Sequence, residues 1–423
     1  MNNYEVKSSE KWVALFLCVL SSVILNIPYL GYSTAIPQIM ADLNINYTQA
    51  SYLSSSTAIV SGFAVLFGGV IADKWGPTKA IVLSLFLLTI GQLAFALMPT
   101  YSLILGSRIF IGLGVTLIYA GTMAVTVRWF ENTGKMGLGV GFLLSSDGIG
   151  SMVGLYLFAY VITWFGWRIG SVIGAGLVIA VCIICFFLLK EHPSYYAEQT
   201  VQKASKDAAS NEPKESYFYI VLRKNVIIAA CFIIGYIGGY SVVVYWVPTI
   251  LIEQGWSEGL AGFIGALYAF VGILGAVSSG AISDKLGRRK PLVLISGLCM
   301  AFSFILSAYA VSTGNYTMLA IMLPLAGLSA YIGSPNVYCW AADAVGVKNV
   351  GTANGFILAC GFLIGGSLFP TGLGLLKDAS GSYSLGFIAC AGAVILLNLI
   401  IPLFADEKIQ PALKHHSEIP DKA

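Results

Sequence analysis

The chain has 423 residues, of which 57% are hydrophobic and only 10% charged, and its mean hydropathy is +0.83. A soluble globule carries about 25% charge, so composition excludes one and points to a chain solvated mostly by a lipid bilayer. The net charge of +3 and the pI near 8.3 are too mild to suggest a nucleic-acid partner.

The polar start Met1–Glu10 leads into an apolar run too long for the core of a cleaved signal, so it reads as a first spanning helix. At roughly 20 apolar residues per crossing, twelve segments follow. The first six lie near Trp12–Met40, Ala50–Ala72, Thr78–Met98, Tyr101–Val127, Met136–Tyr160 and Arg168–Leu189. The second six lie near Val226–Ile250, Gly259–Ser283, Pro291–Val311, Tyr316–Trp340, Thr352–Leu376 and Tyr383–Phe404. The chain thus divides into a first six-helix bundle (1–190), a polar linker (191–224), a second bundle (225–405) and a tail (406–423). Lys74, Lys79, Arg128, Lys190, Arg223, Lys285, Arg288 and Arg289 gather at one end of these segments, whereas Arg168 and Lys377 lie at the other. That bias predicts both termini in the cytoplasm of a multi-pass protein of the plasma (bacterial inner) membrane.

The two bundles are copies. Gly69, Asp73, Lys74, Gly76 and Lys79 recur 211 positions later as Gly280, Asp284, Lys285, Gly287 and Lys290. At the same offset Pro37 meets Pro248, and Gly150 and Gly154 meet Gly361 and Gly365. A parallel repeat of spanning helices is the organisation of one large class of secondary transporters.

The usual chemistry of enzymes is missing. No Walker sequence, zinc spacing or nucleophile triad is visible, so no cofactor, metal or catalytic residue is expected. The eight cysteines fall in or beside apolar segments and read as small packing residues. The glycine runs around Gly112, Gly139 and Gly150 lie inside apolar helices, where glycine serves close backbone approach rather than phosphate binding.

With its duplicated G-x-x-x-D-K-x-G turn and the helix 4 pair Arg108 and Gly112, the chain resembles the major facilitator superfamily over essentially its whole length. The resemblance implies an all-α membrane fold of two six-helix bundles that rock about a central site. The stretch Tyr119 to Phe130, glycines 137 and 141, and the Lys377–Tyr383 turn are similar to organic-anion members such as oxalate/formate exchangers and monocarboxylate carriers. Two departures stand beside that likeness. The basic residues with which oxalate-type carriers hold a dicarboxylate in helices 8 and 11 are absent. The glycine–proline pattern of drug exporters is absent from Asp147-Gly148-Ile149-Gly150. In the family helices 1, 4, 7 and 10 line the cavity, which makes Asn26, Tyr32, Tyr119, Tyr240, Tyr331 and Asn336 candidate ligands of the cargo. Interfacial tyrosine belts and interhelical bonds are the competing explanation for these residues.

Charge inside the membrane is sparse. Arg108 and Asp147 are the one cation and one anion well inside predicted spans. A buried charge costs about 2.5–3.5 kcal/mol even on the lenient insertion scale, so each should face the interior with a partner. Pairing between them is expected, with Arg108 binding an anion and Asp147 exchanging a proton; a structural ion pair is the plainer alternative. Neither has a twofold counterpart, since the offset lands on Leu319 and Leu358. Gly69, Asp73, Lys74, Gly76 and Lys79, with Gly280, Asp284, Lys285, Gly287, Arg288 and Arg289, are expected to form a gating latch rather than a substrate site. The prolines Pro28, Pro37, Pro248, Pro324 and Pro335 are expected to bend helices 1, 7 and 10. The function expected is proton-coupled transport of a small organic anion by a monomer working by alternating access. A drug or metabolite proton antiporter is the alternative. A non-transporting membrane sensor is disfavoured because the predicted tails are short.

Overall fold

A computed structural model describes residues 8–131, 135–193, 217–346 and 349–407, apart from the side chains of residues 8, 69–74, 136–137, 280–281 and 284. Most of the expected linker and tail, and the side chains of Asp73, Lys74 and Asp284, therefore lie outside the described residues. Among those described, every regular element is helical. Hydrocarbon offers no partner to backbone polar groups, so each segment must bond its own.

The first half comprises α1 (Ser9–Leu43), α2 (Tyr47–Trp75), α3 (Pro77–Leu97), α4 (Tyr101–Phe130) and a run over Leu138–Leu188. That run has 51 residues, or about 76 Å of helix, more than twice a hydrocarbon core of about 30 Å. It breaks at Gly166, where φ is 74° and ψ 165°. A Cβ on Gly170 would meet Ile162 and one on Gly174 would meet Phe158. Contacts symmetric about residue 166 make the run an antiparallel hairpin, α5 (136–165) and α6 (167–188). The second half is α7 (Lys224–Glu253), α8 (Glu258–Leu286), α9 (Lys290–Ser312), α10 (Tyr316–Val345), α11 (Val350–Ser380) and α12 (Ser384–Phe404), preceded by a short helix Tyr217–Val221. These are the twelve crossings expected.

The repeat is written in the backbone as well. Gly76 (φ 102°) and Gly287 (φ 61°) take the positive φ that makes the two α2–α3 and α8–α9 turns possible. In each half a glutamate beyond the last crossing caps the third helix. Glu191 Oε2 accepts from the Thr78 amide at 3.2 Å, and Glu407 Oε1 accepts from the amides of Arg289 and, at 2.7 Å, Lys290. Thr78 and Arg289 are related by the same offset of 211. Burial raises the Glu191 carboxyl above the usual carboxylate range, and the Thr78 bonds with the nearby Arg128 and Lys79 charges pull it partly back. Both halves also carry a π-helical turn in the same region of their fifth helix, Met152–Leu157 and Gly361–Gly365. There Gly154 lies so close to α1 that a Cβ would stand 2.4 Å from the Asn26 carbonyl oxygen, and Gly365 so close to α7 that a Cβ would stand 2.2 Å from that of Ile234.

Of helices 1, 7 and 10, the first is the one whose α-helical pattern is interrupted beside its prolines. The α1 helix passes through a 3-10 stretch, Gly31–Ala35, between Pro28 and Pro37. Pro248, Pro324 and Pro335 instead sit inside uninterrupted α-helices. The carbonyls that a proline frees can be bonded by neighbours in a packed bundle.

The halves meet along α2 against α11 and α5 against α8. The tightest point is Gly262, where a Cβ would fall 1.9 Å from the Leu155 carbonyl oxygen of the other half. Gly262→Ala is therefore expected to lower the melting temperature by several degrees. Gly176→Ala, where nothing lies within 4 Å, should leave it unchanged or slightly raised. A thermal-shift assay in detergent on both variants checks this, and equal behaviour would refute the close approach.

Candidate functional site

Depth separates the two intramembrane charges. α4 enters at Tyr101 from the end opposite the Gly76 and Gly287 turns, here called the far end, and leaves at Phe130 at the near end. Tyr119 is 11 residues from the near end of α4, and Asp147 is 11 residues from the near end of α5 at Met136. Both therefore stand about 16 Å up from the near end, at 1.5 Å per residue. Arg108 lies another 11 residues, about 16 Å, further toward the far end.

The expected Arg108–Asp147 pair accordingly does not form. Arg108 is fully buried, at 0% exposure. Its Nε donates to the Leu53 carbonyl and the Thr57 hydroxyl, both at 3.0 Å, and its terminal nitrogens donate to the carbonyls of Pro28 at 3.0 Å and Tyr29 at 3.4 Å. The last two carbonyls precede the 3-10 stretch of α1, where the regular α-helical ladder is interrupted. Tyr32 covers the guanidinium with its ring centre at 4.1 Å, and Phe95 stands at 5.5 Å. The cation is thus solvated by carbonyls, a hydroxyl and an aromatic face rather than by an acid.

Asp147 has other partners. The Tyr119 hydroxyl donates to Oδ1 at 3.2 Å, and the Tyr331 hydroxyl donates to Oδ2 at 3.0 Å. Tyr119 belongs to the same half as Asp147, and Tyr331 to the other, so the carboxylate bridges the seam at mid-depth. Tyr119 is 37% exposed although it lies far inside its helix, the mark of a side chain facing an internal space. Tyr236 packs on Tyr331 at 5.3 Å and Tyr240 on Tyr268 at 5.9 Å, extending the phenolic wall. Tyr29 lies beside the cation, its carbonyl accepting from Arg108 and its ring packing edge-on against Tyr245 of the other half at 6.2 Å.

Of the sequence-derived candidates, Tyr119, Tyr331 and Tyr240 fall around Asp147. Asn26, Tyr32 and Asn336 do not face this cluster. Asn26 is 1% exposed, donates to the Ser22 carbonyl at 3.0 Å and packs on Gly150 and Gly154. Asn336 donates to the Ser279 hydroxyl at 2.6 Å and so joins α10 to α8 within one half. Tyr29 and Tyr236 were missing from the candidate ligands, and an apolar helix gives no signal that picks them from other tyrosines. In the turn motifs, Arg289 pairs with Asp343 and Arg288 lies 3.5 Å from Glu407, both within the second half.

The identified hydrogen bonds between the halves lie at mid-depth or beyond, toward the far end. They include Ser55 to Thr371 at 2.6 Å, Thr249 to the Ser33 carbonyl at 3.4 Å, and Gln38 to Glu258 at 2.7 Å. The seam is closed at the far end in this conformation.

Comparison with known proteins agrees with this architecture. A profile described as Major Facilitator Superfamily matches residues 12–370 and, in a second alignment, 253–418. The 4-hydroxybenzoate transporter PcaK of Pseudomonas aeruginosa is 25% identical over 350 residues, covering 77% of each chain. The cis,cis-muconate transport protein of Acinetobacter baylyi is 23% identical, covering 95% of this chain and 96% of its own length. Among solved structures, the xylose transporter XylE from E. coli superposes with a TM-score of 0.74 at 14% identity, covering 96% of this chain and all of that one. From the turn motifs, the twofold helical frame and the match over most of its length, the chain belongs to the Major Facilitator Superfamily.

Proposed function

We propose that the protein is a proton-coupled secondary transporter of a small organic anion, monocarboxylate-like, working by alternating access as a single chain. The observation that carries this is the Asp147 carboxylate, bonded at mid-depth by a phenol from each half. The anionic cargo is supported by the relatives, whose names specify 4-hydroxybenzoate and cis,cis-muconate. The basic near end supports cytoplasmic termini, so the far end faces outward and this conformation is closed to the outside.

Asp147 is assigned the proton. While it is ionised, it occupies the Tyr119 and Tyr331 donors. A proton on Asp147 weakens its hold on both phenols, and the cargo's carboxylate can take them over. Proton and anion then travel together as a neutral pair, which avoids carrying net charge through hydrocarbon. Tyr240 and Tyr236 complete the wall around the cargo. Arg108 acts on the same anion through its field, since it has no carboxylate partner, while its contacts brace the break in α1. Asn26, Tyr32 and Asn336 belong to the frame in this conformation. The duplicated turns around Asp73 and Asp284 are assigned to latching the near end when the halves rock the other way.

One observation favours the alternative, a proton antiporter of amphipathic drugs or metabolites. The charge that reaches the seam is acidic and framed by aromatic rings, whereas the cation is sequestered. Uptake into proteoliposomes over a panel of small carboxylic acids and lipophilic cations, with and without a pH gradient, separates the two.

Asp147→Asn is expected to abolish gradient-driven accumulation, and Tyr331→Phe or Tyr119→Phe to reduce uptake about tenfold, the worth of one hydrogen bond to a charged group. Full accumulation by Asp147→Asn would remove the proton assignment. Transport of cations but of no acid would establish the antiporter instead.

Arg108→Met leaves the Pro28 and Tyr29 carbonyls without their donor, at roughly 1–3 kcal/mol for each buried group. A fall of several degrees in melting temperature is expected, with Arg108→Lys intermediate because an ammonium cannot reproduce the planar fork. If Arg108→Met melts like wild type, the bracing role is wrong, whatever the variant does to anion uptake.

A further inference from the structure

The far mouth is shut by groups that neither the repeat nor the cargo site accounts for. The first amides of α2 have no partner within their own helix. The Tyr47 amide donates to Asp378 Oδ1 at 3.2 Å, and the Thr48 amide donates to Oδ2 at 2.8 Å. The Thr48 hydroxyl adds a third bond to Oδ2 at 2.5 Å. Asp378 is not part of the neighbouring chain segment, as an ordinary cap would be. It stands in the last turn of α11, in the opposite half.

Two features make this contact specific to the closed mouth. An acid in the last turn of its own helix opposes that helix's dipole, whereas the N-terminus of α2 favours negative charge. Asp378 therefore gains its best electrostatic setting when α2 is docked. The side chain next to it is a plug. The Tyr47 ring lies 6.0 Å from Trp246 and edge-on at 5.9 Å to Tyr383, with the Lys377 ammonium 5.3 Å from its centre. Its hydroxyl donates to Glu253 at 2.9 Å. The socket is held without it: Tyr383 donates to Glu253 at 3.0 Å, and the Trp246 indole donates to the Pro370 carbonyl at 3.0 Å. Trp246, Glu253, Lys377 and Tyr383 all belong to the second half, so Tyr47 is the member that leaves.

We propose that Asp378 and Tyr47 form the latch of the far mouth, a helix cap and an aromatic plug shared between the halves, whose release is required for opening on that side. It lies at the opposite end of α2 from the Gly76 turn, so α2 carries a closing device at each end. The latch depends neither on the identity of the cargo nor on the proton.

The test reads the mouth itself. Spin labels are placed at Thr100→Cys and Ser312→Cys, two exposed far-end positions in opposite halves, after replacement of the eight native cysteines. Distances are measured by double electron–electron resonance in nanodiscs without cargo. Asp378→Ala and Tyr47→Ala are each expected to raise the ratio of long-distance (open) to short-distance (closed) populations about fivefold or more, what loss of one helix cap amounts to. Asp378→Asn should fall between wild type and Asp378→Ala, because one amide oxygen still caps while the second acceptor and the negative charge at the α2 N-terminus are lost. Thr48→Val and Tyr47→Phe, which each delete one hydroxyl, should give smaller shifts in the same direction. They decide the matter if the alanine variants do not fold. Wild-type distance distributions in well-folded Asp378→Ala and Tyr47→Ala, or in both hydroxyl deletions where the alanine variants are lost, overturn the latch. So does an Asp378→Asn variant that opens as far as Asp378→Ala.

Discussion

Inside hydrocarbon a polar group has no solvent except the protein, and that constraint governs the buried polar side chains of this molecule. Arg108 shows it most sharply. Four bonds and two aromatic faces take the place of water around its guanidinium. Two of those bonds end on carbonyls at the break in α1, so the break and the cation satisfy each other. Removing the cation would strand the carbonyls, and straightening the helix would strand the cation. The same accounting explains the serine and threonine hydroxyls along the spans. Ser61, Ser84 and Ser296 each donate to a carbonyl of a neighbouring helix, tying crossings together within a half.

The duplication separates frame from function. The positive-φ glycines, the glutamates that cap α3 and α9, and the π turns of α5 and α11 come in pairs. All of these shape a half and say nothing about what passes between the halves. Arg108 and Asp147 fall opposite Leu319 and Leu358. A symmetrical frame can rock either way with similar internal cost, while an asymmetric pair of charges gives the space between the halves a chemical character.

The fold was legible in the sequence because its signals are local. A crossing needs an apolar run of a certain length, and a tight turn needs glycine at fixed places, so both survive as patterns. The turn at Gly166 was legible too, since it falls in the gap expected between Tyr160 and Arg168. The site was legible in part. Asp147 and its tyrosine partners Tyr119 and Tyr331 could be picked out as polar groups in spans. The pairing with Arg108 could not be judged by residue type alone, because it depends on depth: the two charges lie about 16 Å apart along the bundle axis. Asn26 and Asn336 look like ligands in a sequence because buried amides are rare, yet the NH2 group of each donates to a backbone or hydroxyl partner inside its own half. The far-end acid Glu253 carried no signal, and Asp378 entered only as part of the Lys377–Tyr383 likeness, since charge at the end of a span is what solvation alone would place there.

What crosses the seam is also what must be undone for the halves to move. The identified links between them are a modest set of hydrogen bonds at mid-depth and beyond, together with the fit of glycines such as Gly62, Gly262 and Gly366 against the opposing half. A net hydrogen bond is worth about 0.5–1.5 kcal/mol, somewhat more when one partner is charged. The ten identified between the halves among the described residues, seven of them to carboxylates, come to about 5–15 kcal/mol or more, which overlaps at its low end the binding free energy of a small molecule, about 4–8 kcal/mol for millimolar to micromolar affinity. The packing within each half is much more extensive and is not exchangeable in that way. The bundles are therefore suited to move as bodies, with the mid-depth carboxylate as the place where a bound molecule can alter the balance, because among the described residues it is the charge shared between both halves at mid-depth.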